Sequence, residues 1–246
     1  MNRLLGLLLL ISIGWGLTGC DKVTEPGDQF YDTHYFPLAE GATFWYTYDS
    51  VWVDCVAGRR DTFKWEMREE MDSFFVDASG AQAMLLKVSK RNAGTTNWGP
   101  PRIYSMKLEG NNAIRTEENI RYIKLRFPVS LGQTWNGNLF NTLDWGNDYE
   151  ITEFNTPSLG FDSTLLVNQK DQSNLLERKL FTERYARHVG LVQRVAIDVT
   201  GIVTDPLDPN DCEEFLPPAT PWNTIPILQR IKLGYVVQKV LVDYQL

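Results

Sequence analysis

The sequence predicts an all-β fold, mainly antiparallel, built as a curved half-barrel or a β-sandwich with at most one or two short helices. Apolar and polar side chains alternate with a period of two, and no long helical period lies between the alternating stretches. One buried and one solvated face are typical of antiparallel strands, whereas a parallel α/β sheet needs connecting helices. The clearest alternation lies in residues 63–67, 84–88, 104–108, 123–129 and 195–199.

Turn-forming residues separate these strands at 78–80, 92–94, 109–112 and 136–138. Asn and Gly are common there, and both tolerate the positive φ of tight turns. The most helix-like segment is 174–189, in which apolar side chains recur at intervals of four before Gly190. Because residues 181–185 also fit a strand, both alternatives stay open for this segment.

A short phrase occurs twice in the chain. The nine residues FPLAEGATF at 36–44 return as FPVSLGQTW at 127–135. Proline cannot donate to a strand ladder and glycine favours a turn, so the phrase predicts a strand-turn-strand device that is used twice. The alternative is an ancestral duplication with a ligand site between the two halves.

Length, composition and charge favour one globular domain, residues 35–246. The chain has 246 residues, of which 43% are hydrophobic and 12% aromatic, enough for a sizeable core. Its formal charge is −7, and no run of five like charges occurs. Nucleic-acid binding needs a concentrated positive surface, so this charge argues against nucleic acid as a partner.

Residues 1–19 have the layout of an export signal peptide. A short positive start that contains Arg3 precedes an apolar stretch broken by glycines. The stretch is too short to cross a bilayer core of about 30 Å comfortably as a helix. We therefore expect residues 1–19 to be removed from the mature protein.

The end of this segment, Leu17-Thr18-Gly19-Cys20, resembles the lipobox of bacterial lipoproteins at all four positions. The resemblance implies that Cys20 becomes the first mature residue and carries fatty acyl chains, such as palmitate. Two or three acyl chains make a membrane anchor effectively permanent. The expected location is the bacterial cell envelope, with the chain lipid-anchored to the inner or outer membrane and facing the periplasm or the cell surface.

Residues 20–34 are polar and contain Pro26 and Gly27, which predicts a flexible tether. Its reach is about 20 Å as a flexible chain and at most about 50 Å when fully extended. The folded domain can therefore stand away from the membrane that holds Cys20.

Two cysteines lie beyond the lipobox, Cys55 and Cys212. An exported chain with two cysteines favours a single disulfide between them. Two separate thiols are the alternative, because a bridge requires Cα atoms within about 7 Å and sequence cannot place them.

Three phrases resemble uncharacterised lipoproteins of Gram-negative bacteria: YFPLAEGATFWYTY, IKLRFPVSLGQTWNGN and ERYARHVGLVQR. The shared features are a Phe-Pro-Leu-x-x-Gly opening and a Tyr-Ala-x-x-Val-Gly-Leu-Val phrase. The resemblance implies a location in the cell envelope and a β-rich fold, and the half-barrel alternative is similar to the LolA/LolB type. That family has no established activity, so no catalytic residue carries over from it.

Enzymatic, metal and cofactor sites find little support in the sequence. His34 and His188 are the only histidines, which excludes most zinc and triad designs, and no nucleophile or phosphate-binding motif occurs. The loop 205–214 concentrates carboxylates but lacks the spacing of a calcium-binding EF-hand. We predict no catalytic residue, no metal and no cofactor.

Aromatic side chains are the remaining candidates for a binding site. Trp45, Tyr46, Tyr48 and Trp52 lie close together and occupy both parities of one predicted strand. They therefore cannot all face one core unless both faces of that strand are covered. Trp45 and Trp52 are the candidate ligand contacts.

These features predict a non-catalytic envelope lipoprotein that binds a partner or acts as a scaffold. The membrane is a partner through Cys20. A carrier that holds an acyl chain or lipid in a curved sheet is one alternative, and a glycan-binding module is another. The ligand is thus a lipid, a glycan or a protein of the envelope.

Overall fold

The computed structural model describes residues 33–143, 148–174, 176–202 and 231–246, and all of its strands belong to one sheet. The strands are β1 (Thr43–Asp54), β2 (Arg59–Val76), β3 (Gln82–Asn92), β4 (Arg102–Glu109), β5 (Asn112–Glu117), β6 (Ile120–Arg126), β7 (Thr134–Trp135), β8 (Tyr149–Ser158), β9 (Phe161–Ser173), β10 (Glu177–Ala186), β11 (Gly190–Ile202) and β12 (Ile231–Gln245). A 3-10 helix, Thr33–Tyr35, precedes β1. The predicted lipid anchor Cys20 and most of the predicted tether lie outside the described residues.

The sheet has the order β6-β5-β4-β3-β2-β1-β12-β11-β10-β9-β8-β7, and every pairing is antiparallel. Consecutive strands are neighbours except for β6 and β7, which form the two edges, and β1 pairs with β12 from Thr43↔Gln245 to Asp54↔Leu233. The all-β, antiparallel prediction is confirmed. A single curled sheet agrees with the half-barrel alternative rather than with a sandwich, which needs two sheets. Within the described ranges, no helix is long and apolar enough to cross a membrane.

Hydrogen bonds between the two edges nearly close this sheet into a barrel. The Ile123 backbone N–H in β6 donates to the Gly137 carbonyl just after β7 at 2.9 Å. The Trp135 indole N–H in β7 donates to the Ile123 carbonyl at 2.9 Å. Both backbone groups of one edge residue thus find partners on the opposite edge, which satisfies groups that an open edge would leave unpaired.

The repeated phrase makes the same turn at both of its positions. Gly41 and Gly132 have φ values of 87° and 75°, a region that favours glycine. The Gly41 N–H donates to the Met71 carbonyl, and the Gly132 N–H donates to the Ile151 carbonyl, each at 2.8 Å. The first phrase follows the 3-10 helix Thr33–Tyr35 and leads into β1, whereas the second lies between β6 and β7. Each opens one run of six strands, but the predicted strand-turn-strand device is present only at the second position.

The segment 174–189 is a strand, β10, and not a helix. Its interval-of-four pattern was ambiguous because residues four apart lie on one face of a helix and also on one face of a strand. Phe181 and Tyr185 are both buried, together with Glu183 between them. Burial at every second position is the pattern of a strand with one inward face.

Apolar side chains fill the interior at one end of the barrel, which we call the filled end. The buried cluster draws on both runs of strands and includes Phe44, Leu86, Leu125, Leu165 and Tyr185. Such side chains stabilise a fold by roughly 1.5–3 kcal/mol each when they are fully buried. This cluster is the main core of the described chain.

The 3-10 helix Thr33–Tyr35 lies against the filled end. The Tyr35 hydroxyl is 2.7 Å from the Ser163 hydroxyl, and the His188 N–H donates to the His34 carbonyl at 2.7 Å. The chain therefore enters the described structure at this end, next to the boundary that the sequence predicts between tether and domain.

At the other end the barrel loses part of its wall. The last pair between β3 and β4 is Val88↔Arg102, although β3 continues to Asn92. The pairs between β8 and β9 reach only Asn168, although β9 continues to Ser173. Only β1–β3 and β9–β12 extend further, so the sheet continues as a curved half-barrel, which we call the open end.

The outer surface of the open end carries its own apolar cluster. Val53, Val199 and Ile231 are buried there, and Ile197 and Val236 pack against them. The alternation predicted at 195–199 is present, but its apolar side lies outside the barrel and not in the main core. Both faces of the sheet thus contain apolar residues at this end.

Candidate functional site

Strand register places five side chains in one row across the inner face of the open end. Tyr48 of β1 lies opposite Trp65 of β2 and Lys239 of β12. Lys239 lies opposite Arg194, and Arg194 lies opposite Glu183. Directly opposed residues of antiparallel strands share a face, so this row points into the barrel. We call it the floor row, because it borders the filled end.

Two further rows continue toward the rim of the open end. The middle row consists of Phe63, Ser50, Val237, Ala196 and Phe181. The rim row consists of Asp61, Trp52, Tyr235, Asp198 and Lys179. The three rows together form an inner surface that is rich in aromatic rings and has charged groups above and below them.

Five rings on this surface form what we call the aromatic face: Tyr48, Trp52, Phe63, Trp65 and Tyr235. Trp65 stacks on Phe63 and on Tyr48, with centroid distances of 5.5 and 5.4 Å and an interplanar angle of 26° in both pairs. Trp52 lies 4.8 Å from Tyr235 at an angle of 30°. The rings therefore form two groups along one apolar strip of the inner face, one around Trp65 and one that pairs Trp52 with Tyr235.

Part of this strip is open to solvent. Trp52 is 48% exposed and Phe63 is 39% exposed, high values for aromatic rings on the inner face of a sheet. Both line a groove of about 520 Å³ that Asp61, Leu233 and Gly234 also border. Its volume is within the range of roughly 300–1,000 Å³ that is usual for ligand sites.

Charged side chains, most of them buried, form a layer across the barrel that includes three residues of the floor row. We call it the ion layer: Glu69, Arg115, Glu117, Lys124, Glu183, Arg194 and Lys239. Glu69 accepts two hydrogen bonds from Arg115, both of 2.9 Å, and a third from Lys239. These groups come from β2, β5 and β12, so their contacts cross the barrel interior.

A second set of contacts in the ion layer centres on Glu183. Its carboxylate accepts hydrogen bonds from the Lys124 ammonium at 2.8 Å and from the Tyr185 hydroxyl at 2.6 Å. The Arg194 Nε lies 3.8 Å away. The sequence alternation placed Lys124 on a solvated face, and that prediction is wrong: its side chain is 5% exposed. The reason is that β10 supplies a buried carboxylate opposite it.

Paired cations keep both carboxyl groups ionised in spite of their burial. Burial raises the pKa of Glu183, but the charges of Lys124 and Arg194 outweigh it and lower the pKa to about 2. Burial acts on Glu69 in the same way, and the charges of Arg115 and Lys239 hold its pKa far below the usual range. The ion layer is therefore a set of satisfied ion pairs at neutral pH.

A small cavity adjoins this layer. Its volume is about 40 Å³, and its lining includes Tyr46, Glu69, Arg115 and Lys124. That volume suits a few water molecules but not an acyl chain. The described interior contains charges where a lipid carrier would need an apolar tunnel.

The structure places the two tryptophans that the sequence predicted as ligand contacts on opposite faces of β1. Trp52 belongs to the aromatic face, whereas Trp45 lies on the outer face, opposite Arg68 and Asp243. The parity argument predicted that these aromatics could not share one face, and it is confirmed. Sequence reasoning missed Phe63, Trp65 and Tyr235, although the alternation at 63–67 contained the signal for the first two.

The cysteines and histidines that the sequence analysis considered do not belong to the aromatic face. Cys55 lies in the turn after β1, where its N–H donates to the Lys232 carbonyl at 2.7 Å. Cys20 and Cys212 lie outside the described residues, so the lipid anchor and the disulfide stay predictions. His34 and His188 meet at the filled end with ring centroids 4.4 Å apart. No group of three or more His, Cys, Asp or Glu within the described ranges could hold a metal ion.

Comparisons with known proteins add one distant likeness. No protein-family model matches the sequence, and no curated protein is similar to it. A crystal structure from Bacteroides fragilis, named as an exported protein with a YmcC-like fold, is similar at 10% identity. The match covers 88% of this chain and 99% of that chain, with a TM-score of 0.44. Nothing about the function of this chain follows from a likeness at that TM-score, and the resemblance to Gram-negative lipoproteins stays a prediction.

Proposed function

We propose that this chain is a non-catalytic, membrane-tethered binding module of the cell envelope, and that its ligand is a glycan held on the aromatic face. The observation that carries the proposal is the strip of stacked rings, of which Trp52 and Phe63 are substantially exposed in an open groove. Large apolar surfaces in a concave site are typical of binding sites.

The chemistry of the groove fits a sugar chain. The C–H faces of a pyranose ring stack on aromatic rings, while its hydroxyl groups need hydrogen-bond partners around the stack. Asp61 and Asp198 in the rim row supply acceptors beside Trp52 and Tyr235. An apolar strip with a polar border thus matches both sides of a sugar.

The carrier alternative fits the interior poorly. An acyl chain needs a deep apolar pocket, but the described cavity beneath the floor row measures about 40 Å³ and includes Glu69, Arg115 and Lys124 in its lining. Burying an apolar chain against ionised groups would strip them of solvent without replacing their hydrogen bonds.

A polysaccharide-binding assay tests this proposal. The full chain in detergent should bind at least one member of an envelope polysaccharide panel, and Trp52→Ala and Phe63→Ala should each weaken that binding about fivefold, in line with about 1 kcal/mol per aromatic contact. Trp45→Ala is the matched control, because Trp45 lies on the other face of the same strand. Equal losses in all three variants, or no binding across the panel, would contradict the proposal.

The tether requires its own experiment. Cys20→Ala should abolish metabolic labelling with a fatty acid and leave a precursor that retains residues 1–19. Cys55→Ala should still be labelled and processed. Labelling that persists in Cys20→Ala would show that the anchor lies elsewhere.

A further inference from the structure

Two cations border the aromatic face without a close carboxylate of their own. The first is Lys90 of β3, whose ammonium lies 4.4 Å from the centroid of the Trp65 ring. Lys90 is exposed, and no carboxylate of the described chain lies within 4.0 Å of its nitrogen. Its charge is therefore available to a ligand that stacks beside Trp65.

The second cation is Arg194 in the floor row. Its only ion pair within the described residues is the 3.8 Å contact with Glu183, and that carboxylate already accepts hydrogen bonds from Lys124 and Tyr185. The nearby Glu117 carboxylate is likewise engaged, at 2.7 Å from the Arg115 Nε. Arg194 keeps a side-chain exposure of 35%, so its guanidinium can still contact a ligand.

Other cations of the open end differ from these two. Arg59 forms a 2.7 Å ion pair with Asp61, and Lys179 lies within 4.0 Å of both Asp198 and Glu177. Negative charge thus lies at the rim and is locally paired there. Lys90 and the partly exposed Arg194 lie deeper, on either side of the stacked pair Tyr48 and Trp65.

From this arrangement we infer that the glycan is acidic, and that Arg194 and Lys90 bind carboxylate groups of its sugar rings. This inference rests on the proposed function and names its ligand class. A guanidinium presents two parallel N–H donors to a carboxylate, and an ammonium adds a point charge. Rings that carry carboxylates satisfy the cations while their C–H faces stack on Trp65 and Phe63.

The spacing of the cations indicates a chain of sugars. Lys90 and Arg194 stand on β3 and β11, which are separated by four strand spacings in the order β3-β2-β1-β12-β11. At about 4.8 Å per spacing their backbones are roughly 19 Å apart. An oligosaccharide with repeated carboxylates can reach both cations.

Matched polymers test the inference. The probes are oligosaccharides of galacturonic acid and glucuronic acid, each compared with its carboxyl-reduced neutral form by calorimetry on the full chain. We expect the carboxylated form to bind at least tenfold more tightly, with an affinity that falls as salt rises. Equal affinity for both forms would overturn the inference.

Charge variants locate the effect. Lys90→Gln and Arg194→Gln should each reduce the preference for the carboxylated form several-fold and leave affinity for the neutral form unchanged. Lys87→Gln, on an exposed pair with Asp72, is the control. Lys90 is exposed, so its variant tests the inference even if Arg194→Gln does not fold. An intact preference in a folded Lys90→Gln and in a folded Arg194→Gln would overturn it.

The two proposals fail in different ways. If neutral and acidic glycans bind with equal affinity and both bind more weakly to Trp52→Ala, the acidic preference is refuted and the glycan-binding function stands. Absence of binding to every glycan, neutral or acidic, would refute both.

Discussion

The filled end and the open end use the same strands but bury side chains differently, because apolar residues are buried on both faces of the sheet at the open end. At the filled end the inner face holds the core, and side chains from both runs of strands meet across the barrel. At the open end β4–β8 have stopped, and the outer face carries the aliphatic cluster around Val53 and Val199. Within the described residues, β4–β8 do not cover the inner face there, which buries Phe181, Ala196 and Val237 but exposes part of Trp52 and Phe63 to solvent. A barrel in which some strands end early can thus hold its longer strands together through packing on their outer face. Part of the inner face then stays exposed and can contact a ligand.

The ion layer lies at the boundary between these two ends. Its ion pairs join residues of strands that are distant in the sequence, such as Lys124 with Glu183 and Arg115 with Glu69. Ion pairs of this kind are costly to break once they are buried, even where their formation contributes little. The boundary should therefore be the point at which a single substitution does the most damage.

Removing one partner of the ion layer should have the largest effect on stability. Glu69→Leu leaves Arg115 and Lys239 buried without their carboxylate, so we expect the free energy of unfolding to fall by about 3–5 kcal/mol. Urea denaturation measures it. Asp72→Leu, which breaks an exposed ion pair with Lys87, should leave the free energy of unfolding nearly unchanged. If Glu69→Leu lowers the free energy of unfolding as little as Asp72→Leu does, the ion layer is not tightly buried.

Acid should weaken the same layer. The pKa of Glu183 is lowered to about 2 in the folded state, below the roughly 4.3 of an unfolded chain. A lowered folded pKa gives stability that is present above the unfolded value and is lost as pH falls toward the folded one. We expect the free energy of unfolding to fall by about 2 kcal/mol or more between pH 7 and pH 3. Urea denaturation at each pH measures this change.

Glu183→Gln is the control for this pH dependence. The variant should be less stable at pH 7 and should lose less on acidification, because it has no carboxylate to protonate at this position. An unchanged slope of stability against pH in this variant would assign the acid sensitivity to other groups.

Barrel closure should have an intermediate effect. Trp135→Phe keeps an aromatic ring but removes the indole N–H that donates to the Ile123 carbonyl. An unpartnered buried carbonyl costs about 1–3 kcal/mol, so we expect a loss near the lower part of that range. Trp45→Phe, on the outer face, should cost less. Hydrogen exchange at the Ile123 amide should quicken in Trp135→Phe, and unchanged protection would show that the edges do not depend on this bond.

The smallest stability effects should come from the aromatic face. Trp52→Ala and Phe63→Ala truncate rings that are partly in solvent already, so each should lower the free energy of unfolding by about 1 kcal/mol or less. Binding should change much more than stability. If either substitution destabilises the chain as strongly as Glu69→Leu, the aromatic face is part of the core and not a ligand surface.

Local pattern predicted much of this fold. Period-two alternation located β2, β3, β4, β6 and β11, and the repeated phrase located two turns of the same geometry. Parity alone separated Trp45 from Trp52. These features depend on neighbours within one strand or one turn, which is the range over which sequence is informative.

The remaining features depend on contacts that only the sheet order creates. Lys124 and Glu183 are 59 residues apart and meet because β6 and β10 face each other across the barrel. Alternation therefore placed Lys124 in solvent, and it could not show that the apolar side of β11 at Ile197 and Val199 lies outside. The aromatic face combines Tyr235 with Trp52 through a pairing of β1 with β12, which no short pattern indicates.

The pairing of β1 with β12 also has a kinetic consequence. The first strand has two neighbours, and one of them is the last strand of the chain, so the two runs of six strands join only after residues 231–245 are available. Contacts between such distant segments form slowly because a long loop must close first. A chain that emerges progressively, from a ribosome or through a translocation channel, therefore cannot complete its sheet before its final strand arrives. For a protein whose first residues predict export, that delay helps to keep the chain unfolded until it has crossed the membrane.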